Sequence, residues 1–219
     1  VLFCSTNGDT LNGWWLQPDK QPILGTILHL HGNGGCLASQ FKAIAPLAEK
    51  GFQIFMFDYS GYGFSEGKAN RKSVLENALS ALDYVQSKTS VKDLKLIIYG
   101  QSLGVHLASV VASERQNDIN GLVIEGAFSS HKDIANHMVP VLGKLFVKNG
   151  YSAYKSIRTF HKPLLVIHST EDAVVPFNLG KKIFNNANEP KQFFEVSKCH
   201  ICAPNYYPEE ITDKIMEFL

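Results

Sequence analysis

The sequence predicts an α/β fold, a mostly parallel sheet with helices on both faces. Short apolar runs of strand character alternate with stretches of helical spacing, and repeated strand–helix–strand units pack that way. The 219 residues are 45% apolar and 19% charged, the composition of a packed chain and not of a disordered one. No repeat, low-complexity tract or Pro/Ser-rich linker interrupts the pattern, so one domain over residues 1–219 is expected.

The first sixteen residues read as two β-strands joined by the Asn7-Gly8-Asp9 turn, a hairpin signal. Thr26-Ile27-Leu28-His29-Leu30 is a short buried strand, and Gln53 to Phe57 is another, ending at Asp58-Tyr59. Between them, Phe41, Ile44, Ala45, Leu47 and Ala48 have helical spacing. Ser73 is placed to cap a helix with the stripe Val74, Ala78, Leu82 and Val85. A third strand covers Leu94 to Tyr99 and is followed by a helix from about Leu103 to Ser113. Leu122–Ile124, Leu164–Ile167 and Gln192–Val196 complete the strands. Helices are expected around Lys181–Asn186 and through Ile211, Ile215 and Leu219.

In such sheets chemistry sits at the carboxyl ends of the strands. The third parallel strand ends in Gly100-Gln101-Ser102-Leu103-Gly104, a G-x-S-x-G pattern. A sharp strand-to-helix turn lifts a serine Oγ into the open, and small residues two before and two after avoid a clash. A serine nucleophile needs a base, and the base needs an orienting acid. After the next strands come Asp172 and His200, in the order Ser, Asp, His. Glu171 is the competing carboxylate and reads as solvated. An oxyanion needs two donors. The N–H of Leu103 is one. The other is expected from His31-Gly32-Asn33-Gly34-Gly35, with Asn33 favoured and Gly34 as the neighbour that could displace it.

These stretches resemble the α/β-hydrolase superfamily of serine hydrolases. They are most similar to its small-cap group of Bem-type hydrolases and eukaryotic protein depalmitoylases. His31-Gly32-Asn33-Gly34, Asp58-Tyr59-Ser60-Gly61-Tyr62-Gly63-Phe64-Ser65-Glu66-Gly67, Tyr99 to Gly104, and Glu171-Asp172 with Val175-Pro176 carry the resemblance. It implies Ser102 as nucleophile, Asp172 as acid and His200 as base. The family usually has Gly-rich residues before its histidine and a small polar residue after it; here stand Ser197, Lys198, Cys199 and Ile201. His106 lies four residues after Ser102, on the same helical side, and reads as packing or a supporting hydrogen bond.

Residues of about 127–163 form an insertion the size of a small cap. Ile134, Met138, Val141, Leu142, Leu145, Phe146 and Val147 are apolar at near-helical spacing, as a packed helix or as a lid over an acyl pocket. Hydrolysis of carboxylic esters or thioesters is the expected function. A peptidase on the same core and a non-catalytic binding module are the alternatives. No metal or organic cofactor is implied, since Gly61-Tyr62-Gly63 with Gly67 misses the dinucleotide spacing and metal motifs are absent.

The substrate is expected to be a small-molecule, lipid-linked or protein-linked acyl group. With 21 Lys and Arg against 20 Asp and Glu, a nucleic-acid partner is excluded as the main function. No apolar run is long enough to span a membrane. Cys4, Cys36, Cys199 and Cys202 are too unevenly spread for a disulfide framework, and Cys199-x-x-Cys202 reads as two incidental thiols, with redox control as the alternative. A cytoplasmic location is favoured, with a signal or anchor before Val1 left open.

Overall fold

The computed structural model describes residues 1–19, 21–139 and 150–218. Its strands are β1 (Leu2–Cys4), β2 (Thr10–Leu16), β3 (Gly25–Leu30), β4 (Phe52–Phe57), β5 (Leu96–Gln101), β6 (Gly121–Glu125), β7 (Leu164–Ser169) and β8 (Lys191–Val196). They form one eight-stranded sheet in the order β1-β2-β4-β3-β5-β6-β7-β8. The expected hairpin at the start is present, with Cys4 opposite Thr10. β2 joins β4 antiparallel, and β4, β3, β5, β6, β7 and β8 pair in parallel.

The helices are α1 (Leu37–Gln40), α2 (Ala45–Glu49), α3 (Arg71–Gln86), α4 (Gly104–Glu114), α5 (His131–Met138), α6 (Ala153–Ser156), α7 (Phe177–Asn186), α8 (Ala203–Tyr206) and α9 (Pro208–Phe218). Successive strand residues face opposite sides of a sheet, and both sides are covered. Leu28, Leu30, Ile98, Ile124 and Val166 pack with Ala78 and Leu82 of α3 and Val111 of α4. Ile27, Ile97, Tyr99, Val123 and Leu165 pack with Leu47 of α2 and Ile211 and Ile215 of α9. A strand buried on both faces reads as a continuous apolar run, which is why β3 to β7 were visible in the sequence.

Three expectations are corrected. The helix over residues 41–48 is broken into α1, a 3-10 turn at Phe41–Ala43 and α2, because Pro46 opens α2 and supplies no N–H to a longer helix. Ser73 is not the cap of α3. Asn70 Oδ1 accepts the N–H groups of Lys72 and Ser73, each at 3.0 Å, and Ser73 Oγ returns a bond to the Asn70 N–H at 3.0 Å. The helix therefore starts at Arg71, inside a reciprocal capping box. β5 begins at Leu96 and not at Leu94, whose N–H is taken by the Val91 carbonyl in a turn. Of the expected lid stretch, Ile134 and Met138 fall on α5, and residues 141–147 lie outside the described residues. Among the described residues no helix is long and apolar enough to cross a membrane.

The start of α4 presses on β3. A Cβ added to Gly104 would sit 1.9 Å from the Leu30 carbonyl oxygen, a backbone atom unable to swing aside. Gly104→Ala is expected to cost about 3 kcal/mol, by overpacking. Gly8→Ala, in open space at a φ of +90°, is expected to cost about 1 kcal/mol. Urea denaturation of both variants checks the difference, and equal stabilities would show that α4 moves freely relative to β3.

Candidate active site

Ser102 is the first residue beyond β5, in a left-handed conformation with φ +52°. Its N–H donates to the Glu125 carbonyl at 3.0 Å, and its own carbonyl accepts the Val105 N–H at 3.1 Å. Lys198 (φ +92°) and Ile201 (φ +48°) are the other non-glycine residues with positive φ among the described residues. Each such backbone costs about 1–3 kcal/mol and persists only where its surroundings enforce it. All three lie at the serine or beside His200. Lys198 takes the conformation that glycine would adopt without penalty, in the stretch where the family resemblance leads one to expect glycine.

Asp172 follows β7 and His200 follows β8, the sheet's terminal parallel pair. His200 Nδ1 lies 2.6 Å from Asp172 Oδ2, so the imidazole proton sits on Nδ1. Asp172 Oδ1 accepts the N–H groups of Val174 at 2.9 Å and Val175 at 2.8 Å. Burial of this carboxyl works to raise its pKa, but the His200 hydrogen bond and the two backbone donors outweigh it. The net shift is downward and the group stays ionised. Glu171 is exposed, as expected, and accepts the Lys198 N–H at 3.0 Å.

The serine and histidine loops meet. Gln101, next to Ser102, donates from Nε2 to the Ile201 carbonyl at 3.4 Å. A Cβ built on Gly32 would lie 3.3 Å from Ser102 Cβ and 3.8 Å from Ile201 Cδ1. A Cβ on Gly126 would lie 2.7 Å from His200 Cε1. One link is not made: His200 Nε2 is buried without a hydrogen-bond partner among the described residues, so no bond joins it to Ser102 Oγ.

The loop after β3 is braced from below. His31 Nδ1–H donates to the Gly32 carbonyl at 2.8 Å. That carbonyl shares a planar trans peptide with the Asn33 N–H, so holding the oxygen aims the N–H the opposite way. The Ser102 carbonyl, held by Val105, fixes the Leu103 N–H in the same manner. Neither the Asn33 nor the Leu103 N–H has a hydrogen-bond partner among the described residues. The Asp58–Gly67 stretch supports this loop. Tyr59 Oη donates to the His31 carbonyl at 2.9 Å and Tyr62 Oη to Asn33 Oδ1 at 2.8 Å. Burial lowers the His31 pKa and keeps the ring neutral.

Two site groups were not singled out in the sequence. Glu125, at the end of β6, is buried. Its Oε2 accepts Tyr99 Oη at 2.9 Å and Gln101 Nε2 at 2.7 Å, and its Oε1 accepts the Ala203 N–H at 2.8 Å. Burial pushes this carboxyl's pKa up against those three donors. Gln101 Oε1 in turn accepts His29 Nε2–H at 2.8 Å. The second group is His168. Its Nε2–H donates to the Val175 carbonyl at 3.0 Å and lies 3.5 Å from Asp172 Oδ2, which sets a second imidazole beside that carboxylate. The signal available for both was a polar residue at or next to the end of an otherwise apolar strand.

His106 is fully buried; its Nδ1 accepts the Ala153 N–H at 2.8 Å, and its ring lies 4.3 Å from Phe128 and 4.6 Å from His131. It holds the later part of the insertion against α4. The expectation of two incidental thiols is corrected: Cys199 and Cys202 form a disulfide, because the turn carrying His200 brings their Cα atoms to 5.7 Å.

Comparison with known proteins places the chain. The pattern of the alpha/beta hydrolase fold family matches residues 25–152. The uncharacterized protein YfhR of Escherichia coli is 31% identical over all of this chain and 81% of its own length. The lysophosphatidylserine lipase ABHD12 of Xenopus tropicalis is 27% identical over 85% of this chain and 52% of its own length. Among solved structures, the Pyrococcus furiosus esterase Pf2001 superposes with a TM-score of 0.78 at 18% identity, covering 100% of this chain and 90% of that one. Est1E of Butyrivibrio proteoclasticus, solved with ferulic acid, gives 0.78 at 18% identity, covering 100% and 97%. This chain belongs to the α/β-hydrolase fold family.

Proposed function

We propose that this α/β hydrolase cleaves carboxylic esters or thioesters through an acyl-enzyme on Ser102. The observation that carries the reading is the Asp172–His200 contact at 2.6 Å, which leaves His200 Nε2 as the ring's only free nitrogen. A relative named as a lipase and structural neighbours named as esterases support the ester class.

Ser102 Oγ attacks the acyl carbon while His200 Nε2 takes its proton. Asp172 holds the tautomer and offsets the charge on the imidazolium. The carbonyl oxygen becomes an oxyanion, held by the N–H groups of Asn33 and Leu103. When the tetrahedral intermediate collapses, the C–O or C–S bond breaks and Nε2 returns the proton to the departing alcohol or thiol. Water repeats the sequence on the acyl-enzyme and frees the acid. Catalytic hydrogen bonds are often long without substrate and tighten when it binds, which accommodates the missing Ser102–His200 bond.

Glu125 is a positioning residue in this scheme. It ties the strand that ends just before Ser102 to the Ala203 N–H, three residues past His200. A misplacement of about 1 Å at the reacting atoms costs about 100-fold in rate.

p-Nitrophenyl esters across acyl lengths test the reading. Activity is expected to disappear in Ser102→Ala, together with fluorophosphonate labelling of that serine, and activity unchanged by the substitution would sink the proposal. Asp172→Asn is expected to lower kcat by about 10⁴-fold with KM nearly constant, because the wrong imidazole tautomer is held. Glu125→Ala is expected to lower kcat by about 100-fold, and Glu125→Gln to restore only part of it, since its amide NH2 must face a group that donates to the carboxylate. Equal kcat in the wild type and Glu125→Ala would remove Glu125 from the scheme.

A further inference from the structure

We propose that the Cys199–Cys202 disulfide is a thiol-exchange site that controls His200: a dithiol reductant opens it, the turn carrying the imidazole loosens, and turnover falls. The proposal rests on the hydrolase reading above and adds a covalent control to the same site.

The bridge encloses the base. Its two Cα atoms are 5.7 Å apart, and between the cysteines lie His200 and Ile201 alone. Hydrogen bonds from side chains grip this turn at its ends. The Lys198 N–H goes to Glu171 Oε2 at 3.0 Å, the Lys198 carbonyl accepts Ser169 Oγ, and the Ala203 N–H goes to Glu125 Oε1 at 2.8 Å. In the middle, the Ile201 carbonyl accepts Gln101 Nε2 at 3.4 Å, a long contact. Ile201 sits there with a left-handed backbone, φ +48°. Glycine adopts that region freely, and a β-branched side chain resists it. The covalent ring closes around this residue and keeps it turned. With the ring open, Ile201 can return to an ordinary conformation, and rotation there displaces the imidazole on the residue before it.

Access to the bridge is one-sided. Cys199 is exposed and Cys202 is buried. A thiolate of the dithiol attacks Cys199 Sγ and forms a mixed disulfide; the S–S bond breaks, and its electron pair leaves on Cys202 Sγ, which takes up a proton. The second thiol of the reductant then attacks its partner sulfur, closes the reductant's own disulfide and releases Cys199, which is protonated in turn. Two electrons and two protons pass to the protein, and the dithiol is oxidised. The Cys202 thiol finds an acceptor in place, because its Sγ already lies 3.0 Å from the Cys199 carbonyl. Opening the bond therefore strands no buried donor. Exposed disulfides are the labile and regulatory ones. Cys4 and Cys36 are free thiols.

The test follows one wild-type preparation oxidised with glutathione disulfide, reduced with dithiothreitol and then reoxidised, with each reagent removed before assay. Alkylation in denaturant counts the thiols, and reduction is expected to add two, at Cys199 and Cys202. With p-nitrophenyl butyrate, kcat is expected to fall about tenfold on reduction with KM nearly constant, less than the loss for a full 1 Å misplacement, and to return on reoxidation. The downfield proton signal of His200 Nδ1–H, which reports its bond to Asp172, is expected to broaden in the reduced protein. Cys199→Ser/Cys202→Ser is expected to stay at the reduced kcat under both treatments. It keeps Cys4 and Cys36, so a response carried by those thiols would persist in it. The proposal is overturned by a bond that stays closed in dithiothreitol, by a kcat that does not fall once the bond is open, by a loss that reoxidation does not reverse, or by an equal response in the double variant. Fluorophosphonate labelling of Ser102 is run alongside. Labelling and turnover that reduction leaves unchanged overturn the switch and leave the hydrolase reading standing. No labelling and no turnover in any state overturns both.

Discussion

The contact on which this architecture turns is the close approach of α4 to β3 at Gly104 and the Leu30 carbonyl. It forces the chain to reverse within two residues of the end of β5. The reversal drives Ser102 into a left-handed backbone and begins α4 with the Leu103 peptide turned toward the site. Other features of the site are arranged around that reversal. The loop after β3 passes over it, the end of β6 holds the Ser102 N–H, and the turn after β8 is hydrogen-bonded to Gln101.

Backbone groups at this site are oriented through their opposite ends. The Gly32 and Ser102 carbonyls are occupied by His31 and Val105, so the attached N–H groups are aimed without any contact of their own. The strain in Ser102, Lys198 and Ile201 is balanced by packing and hydrogen bonds elsewhere, and much of that support is buried and polar. His29, Gln101, Glu125 and Tyr99 form a connected chain beneath the serine turn. A network of this kind specifies one arrangement only if every member is satisfied. Here the Glu125 carboxyl accepts three donors, whereas His29 Nδ1 is buried without a partner among the described residues.

The strands were legible because burial on both faces leaves apolar runs, as in Ile97-Ile98-Tyr99 and Leu164 to Ile167. The pairing of Asp172 with His200 was legible because chain order restricts which acid and which base can meet. The start of α3 was missed because Asn70 and Ser73 are both good capping residues, and only the reciprocal bond assigns their roles. Glu125 was missed because its importance lies in contacts 24 and 78 residues away along the chain. The Asp58–Gly67 stretch was recognised as a pattern. Its purpose, Tyr59 and Tyr62 bracing His31 and Asn33, is a tertiary fact that no spacing encodes. The Cys199–Cys202 bond was missed for a similar reason, since a C-x-x-C spacing does not reveal whether the intervening turn brings the two sulfurs together.

The sheet order has a consequence in time as well as in space. Among the described residues β8 pairs with β7 alone, at the far edge from the hairpin, and the imidazole beyond it comes after Ser102 and Asp172 in the chain. The serine turn and all eight strands precede residue 200 in the chain. Asp172 meets its backbone donors Val174 and Val175 two and three residues on, whereas its imidazole partner lies 28 residues further along the chain. On the proposed reading, the pairing of β8 with β7 both completes the sheet and brings the base to the serine.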